Sequence, residues 1–117
     1  MKVKDLEGAA LDWAVGVCEG MPPNYFDADD QAFTDDEGML FCPSANWAQG
    51  GPIIEREFIS VECDPANDNW VAIIRDNVPS GFVCRSGRTP LIAAMRCYVA
   101  SKLGNEVEVP DEVKEAA

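Results

Sequence analysis

Histidine is absent from all 117 residues of this chain. Its absence removes the commonest general base and every nucleophile arrangement that needs an imidazole. No Cys-x-x-Cys pair occurs: Cys18, Cys42, Cys63, Cys84 and Cys97 stand apart along the sequence, and their count is odd. Without histidine, that pattern argues against a disulfide framework and against zinc, so the thiols read as small reduced core hydrophobes. No metal or other cofactor is expected. No apolar run approaches the roughly 20 residues of a membrane helix, so no membrane contact is expected. Phosphate-loop and dinucleotide glycine patterns are missing, and no serine sits in a nucleophile elbow. Positive charge is scarce, with 9 Lys and Arg against 21 Asp and Glu and a net charge of -12. Direct nucleic-acid binding is therefore disfavoured, because phosphate repulsion would be strong.

What is present is enough for one folded domain over 1–117, since 47% of the residues are hydrophobic. Charge is unevenly spread. An acidic loop is expected at about 21–45, carrying Asp27, Asp29, Asp30, Asp35, Asp36 and Glu37, and an acidic tail from about Glu106. Residues 77 to 105 hold Arg85, Arg88, Arg96 and Lys102 and no acid. Met1-Lys-Val-Lys-Asp-Leu-Glu7 places acids where a signal peptide needs an apolar run, which leads to the expectation of a cytosolic protein.

The fold reads as α+β, with a small antiparallel sheet of two to three strands and a capped C-terminal helix packed on it. Thr89 is a good N-cap, Pro90 suits the first helical position, and Gly104 can stop the helix. Leu91, Ile92, Met95, Val99 and Leu103 predict one buried stripe. Leu6, Ala10, Trp13, Ala14 and Val17 predict an N-terminal helix over 5 to 18. Pro22-Pro23 breaks regular structure in the acidic loop, and Tyr25, Phe26 and Phe33 should tack that loop onto the body. Gly50-Gly51-Pro52 predicts a helical turn over 52 to 57. Extended chain from Ile59 to Cys63 should form a hairpin with Trp70–Arg75 across a loop of about six residues. A third, shorter strand is expected over Gly81 to Cys84.

Candidate sites are few. Glu55 and Glu57 read as surface carboxylates. The Asp-rich stretch 27–38 has calcium-type oxygens but misplaces the glycine and the terminal glutamate of an EF-hand loop. A pocket for a small anionic ligand, a nucleotide or signalling molecule, could use two helix starts, with Trp47, Gly50, Gly51, Arg56, Trp70 and Arg96 lining it. The structural alternative makes the tryptophans core, pairs Arg96 with Glu55 or Glu57, and leaves the glycines to a turn.

Three segments carry a resemblance: Leu11-Asp-Trp-Ala-Val15 with Glu19-Gly20, Asn46-Trp-Ala-Gln-Gly-Gly-Pro-Ile-Ile-Glu-Arg-Glu57, and Thr89 to Gly104 with Glu106-Val-Glu-Val-Pro110. With Trp70 they make the chain resemble the NinX type of small tailed-phage proteins. The resemblance implies a phage or prophage product in the bacterial host cytoplasm, and no catalytic or ligand residue comes with it. The expectation is a non-enzymatic accessory protein binding a host or phage macromolecule through an acidic surface. The alternatives are a small-ligand binder and, disfavoured, an enzyme of unknown class. A homodimer is compatible with the apolar content.

Overall fold

The computed structural model describes residues 1–20, 26–27, 32–34, 39–75, 81–111 and 113. Among them the fold is α+β, with three α-helices and two three-stranded antiparallel sheets. A 3-10 turn (Val3–Asp5) leads into α1 (Gly8–Cys18). Three short strands follow, β1 (Phe26–Asp27), β2 (Ala32–Thr34) and β3 (Leu40–Phe41). Then come α2 (Trp47–Arg56), β4 (Ser60–Asp64), β5 (Asn69–Arg75), β6 (Phe82–Gly87) and α3 (Pro90–Leu103).

Local chemistry sets α3. Thr89 is extended and its Oγ1 accepts from the Ile92 amide at 3.1 Å, Pro90 fills the first turn, and Gly104 ends the helix at φ 87°. Its burial exceeds one stripe. Every residue from Leu91 to Met95 and from Cys97 to Ala100 is buried, whereas Leu103, expected inside, is 38% exposed at the open end of the helix. The sheet β4-β5-β6 covers one side of α3 and α1 covers another. Gly87 shows how close the sheet comes: a Cβ there would lie 2.7 Å from the Ala93 amide nitrogen.

Register within that sheet follows the alternation of strand side chains. Cys63 faces Trp70, and Ile73 faces Cys84. Asp64 still pairs with Asn69, so the connection is four residues rather than six, closed by a 3-10 turn (Pro65–Asn67) and a left-handed Asp68. Strand β6 runs three residues past the expected Cys84, because its pairing with β5 continues to Gly87 opposite Trp70.

Other boundaries also differ. Helix α1 starts at Gly8, since the 3-10 turn occupies the first expected turn and buries Val3 and Leu6. The expected turn at 52–57 is a full helix from Trp47, and Pro52 does not open it. Asn46 does, its side chain accepting from the Ala48 amide at 2.9 Å. Pro52 lies inside the helix and cannot donate to the Ala48 carbonyl, a loss tolerated because Ala48 and Pro52 are both exposed.

The stretch 21–45 is not all loop: β1 pairs with β2 and β2 with β3. Tyr25, most of the acidic run, and the Phe26 and Phe33 side chains lie outside the described residues, and the calcium reading of 27–38 falls mostly there too. The acidic C-terminal segment is anchored rather than peripheral. Val107, Val109 and Val113 are buried while Glu106, Glu108 and Asp111 face out. The Val107 amide donates to the Met1 carbonyl at 2.9 Å, and the Met1 ammonium donates to the Val107 carbonyl at 2.7 Å. Among the described residues no helix is long and apolar enough to cross a membrane.

The adjacent glycines of α2 have opposite surroundings. A Cβ on Gly50 would sit 2.5 Å from the Pro43 carbonyl oxygen and 2.6 Å from Leu91 Cδ2, whereas one on Gly51 meets nothing within 4 Å. Gly50→Ala should lower unfolding free energy by about 1–3 kcal/mol through overpacking. Gly51→Ala should raise it by about 0.5–1 kcal/mol through reduced chain entropy. Urea denaturation of the two variants checks this, and shifts of the same sign would refute the packing of α2 on α3.

Candidate functional site

Helix α2 is held at both ends, and what it leaves outside is mostly apolar up to Pro52 and charged at Glu55 and Arg56. Gln49 ties it to the preceding segment, its Oε1 accepting from the Cys42 amide at 2.6 Å and its Nε2 donating to the Leu40 carbonyl at 2.7 Å. Ile53 is buried and Ile54 packs on the core. Ala48, Pro52 and Glu55, three or four positions apart on one face, are exposed. Trp47 at the start is 57% exposed and Phe58 after the end is 87% exposed, with Met39 and Leu40 also exposed on the Gln49-tethered segment.

Phe58 departs furthest from what stability favours. The helix closes with the Ile59 amide donating to the Ile54 carbonyl at 3.0 Å and the Phe58 amide to the Glu55 carbonyl at 3.4 Å. This is the Schellman arrangement, and it puts Phe58 at the left-handed position that glycine normally fills, with φ 55°. A bulky aromatic there carries about 1–2 kcal/mol of backbone strain. Nearly all of its ring also faces solvent.

Beside Trp47 lies a cleft of about 350 Å³ between the starts of α2 and α3, lined by Ser44, Trp47, Arg88, Thr89, Pro90 and Leu91 among others. Its floor depends on a buried acid that sequence reasoning passed over. Asp12 of α1 is only 6% exposed and its Oδ1 accepts from the Ser44 amide at 3.0 Å, fixing the turn from which α2 springs. Burial pushes Asp12 up to about 6, against the opposing hydrogen bonds from Ser44.

The six residues proposed from sequence do not line one cavity. Trp47 is at the cleft, Gly50 is packed against Pro43 and Leu91, and Gly51 borders open space. Trp70 is half-buried on the core side of β5. Arg56 sits at the far end of α2, where it grips Glu19 of the α1 end with two hydrogen bonds of 3.1 and 2.7 Å and also reaches Glu57 at 2.9 Å. The Tyr98 hydroxyl donates to the same Glu19 at 2.6 Å. Burial works against the Glu19 charge, yet the hydrogen bonds from Arg56 and Tyr98 prevail and hold its carboxyl below the ordinary range. Burial, with the neighbouring Glu19 carboxylate, drives the Tyr98 hydroxyl well above its usual value.

Arg96 points away from Glu55 and Glu57. Its Nε donates to the Leu6 carbonyl at 2.7 Å and its Nη1 to the Ser86 carbonyl at 3.0 Å, so it clasps the N-terminal segment and β6 to α3. The arginines form no single basic cap beside the tryptophans. Arg88 lies 3.3 Å from Glu7, and Arg85 bonds the Cys84 carbonyl and the Asn105 side chain. Among the described residues no three metal-ligating side chains converge.

A family model described as Bacteriophage P22, NinX matches residues 2–102. No curated protein matches the chain.

Asp12 gives a pH signature. Its folded value near 6 lies above the unfolded 3.8, so its neutral form stabilises the fold. That contribution is complete below the unfolded value and is lost as pH rises through 6. Glu19 acts in the opposite sense and only below its ordinary 4.5, which among the described residues leaves the window between pH 5 and 7.5 to Asp12. Moving from pH 7.5 to 5 should raise the wild-type unfolding free energy by about 1–1.5 kcal/mol more than that of Asp12→Asn. Equal pH slopes in paired urea titrations would refute the buried, Ser44-bonded state of this carboxyl.

Proposed function

The chain belongs to the phage NinX family, and from that premise we propose that it is a non-enzymatic accessory protein of the infected bacterial cytoplasm. Its role is to bind a protein partner, of phage or host, through the exposed face of α2. Phe58 carries the reading: a strained, solvent-facing aromatic at a glycine position reduces stability and makes sense as a contact kept for another molecule. Trp47 lies about three helical turns away at the other end of α2. Ala48 and Pro52 fill the space between, giving two aromatic anchors on a rigid element, the usual build of an interface hot spot.

Charge selects the partner's character. With 21 acids to 9 bases the protein attracts basic surfaces, and Glu55 stands exposed among the apolar contacts of α2. The cations nearest that face are already neutralised, Arg56 by Glu19 and Glu57, and Lys102 by Glu57 at 3.5 Å. The cleft beside Trp47 then receives a partner side chain. A small anion is a poorer occupant, since Arg88, its only lining cation, is shared with Glu7. A basic nucleic-acid-binding protein fits this surface, and nucleic acid itself does not.

Phe58→Gly separates binding from folding. The variant should be more stable than wild type by about 1 kcal/mol, because glycine relieves the left-handed strain. Affinity capture from infected-cell lysate should yield a basic protein retained by wild type, lost by Phe58→Gly and by Trp47→Ser, and released as salt rises. Cross-links from the captured protein should fall on α2. Equal capture by both variants, or capture indifferent to salt, would overturn the assignment.

A further inference from the structure

Half of the basic side chains in the described residues are spent on internal pairing: Arg56, Arg88, Arg96 and Lys102 form ion pairs with Glu7, Glu19 or Glu57. Lys2, Lys4, Arg75 and Arg85 form none, and of these Lys2, Lys4 and Arg85 converge. Together with Asn105 and Glu106 they line a concavity of about 480 Å³, within the size range of small-ligand sites. We propose that this concavity is a binding site for a small phosphate-bearing anion.

The backbone beneath the three cations is fixed. Lys2 pairs with Glu106 as an isolated bridge, and the Val3 amide donates to the Asn105 carbonyl at 2.9 Å. Val3 and Leu6 are fully buried, so the chain bearing Lys2 and Lys4 is pinned to the core between two exposed ammonium groups. The Arg85 guanidinium is aimed by two hydrogen bonds, from Nη1 to the Cys84 carbonyl at 2.6 Å and from Nη2 to the Asn105 side-chain oxygen. Three of its five N–H donors remain for a ligand.

Charge and geometry favour phosphate over a carboxylate. Three cations less the one Glu106 carboxylate leave the lining at +2, matching a phosphate dianion. One carboxylate offers a single charge and two oxygens to three separate cationic groups, whereas a phosphate offers an oxygen to each. The overall charge of -12 does not forbid this, because at physiological ionic strength the screening length is about 8 Å and remote acids are largely masked. The site shares no residue with the α2 face or its cleft, so the two readings stand or fall separately.

Isothermal titration of the untagged protein with pyrophosphate, ATP and adenosine tests the proposal. Saturable one-to-one binding of pyrophosphate is expected, with none for adenosine. Affinity for ATP equal to that for pyrophosphate assigns the site to polyphosphate alone, and a clear gain with ATP assigns it to nucleotides; either outcome supports a phosphate site. The double variant Lys2→Gln/Lys4→Gln removes two exposed, unpaired charges, so its ligand-free melting should be unchanged while affinity falls by about tenfold or more. Absence of saturable binding to both phosphates at low salt, or undiminished binding by the double variant, would overturn it.

Discussion

Near-complete burial of α3 is the constraint on which the rest of the structure depends. A helix with one apolar stripe needs one covering surface; this one needs several. The sheet β4-β5-β6 takes one side, α1 another, and the N-terminal 3-10 turn closes part of the remainder. Small side chains let these layers approach. Gly87 admits the first turn of α3, and Ala93, Ala94 and Ala100 lie buried along its length. Burial of each larger side chain such as Leu91, Met95 or Val99 is worth roughly 1.5–3 kcal/mol.

That arrangement dictates what the scarce cations do. Arg96 emerges from a helix with almost no free surface, with 13% of its side chain exposed, and spends its donors on the Leu6 and Ser86 carbonyls. Both carbonyls belong to layers that α3 must hold together. A lysine could not bridge them in the same way, because the planar guanidinium reaches two acceptors at once. Arg56 does a similar job at the other end, joining the ends of α1 and α2 to Tyr98 of α3. Two residues of the ligand-binding set read from the sequence, Arg56 and Arg96, thus serve as clasps between layers.

The parts of this architecture legible in the sequence are those with a local cause. Thr89, Pro90 and Gly104 mark the ends of α3 because capping involves residues only a few positions apart. The hairpin of β4 and β5 is legible from its polar turn, although its true loop length depends on whether Asp64 and Asn69 stay paired. The start of α2 was obscured by a competing local signal, Pro52, which reads as a helix opener but lies mid-helix where its missing amide faces solvent. A single apolar stripe understates α3, since a helix covered on several sides has no polar face to set the phase. Asp12, Gln49 and the left-handed Phe58 owe their roles to distant partners or to backbone angles, and neither is visible in spacing. Of the six residues read as a ligand set only Trp47 lies at the cleft, through its place at a helix start.

The molecule therefore divides its labour by depth. Its interior is layered on α3, clasped by Arg56 and Arg96 and tied from Met1 to Val107, and it carries a buried carboxyl at Asp12 and a strained aromatic at Phe58. Both unfavourable features lie along the path from α1 through Ser44 to the two ends of α2, and neither lies in the sheet. Mutation can remove either without touching the core, since Asn would still accept from Ser44 and Gly would still close α2. The face of α2 proposed to meet a partner therefore runs between a buried carboxyl and a strained aromatic, while the sheet and α3 hold it in place.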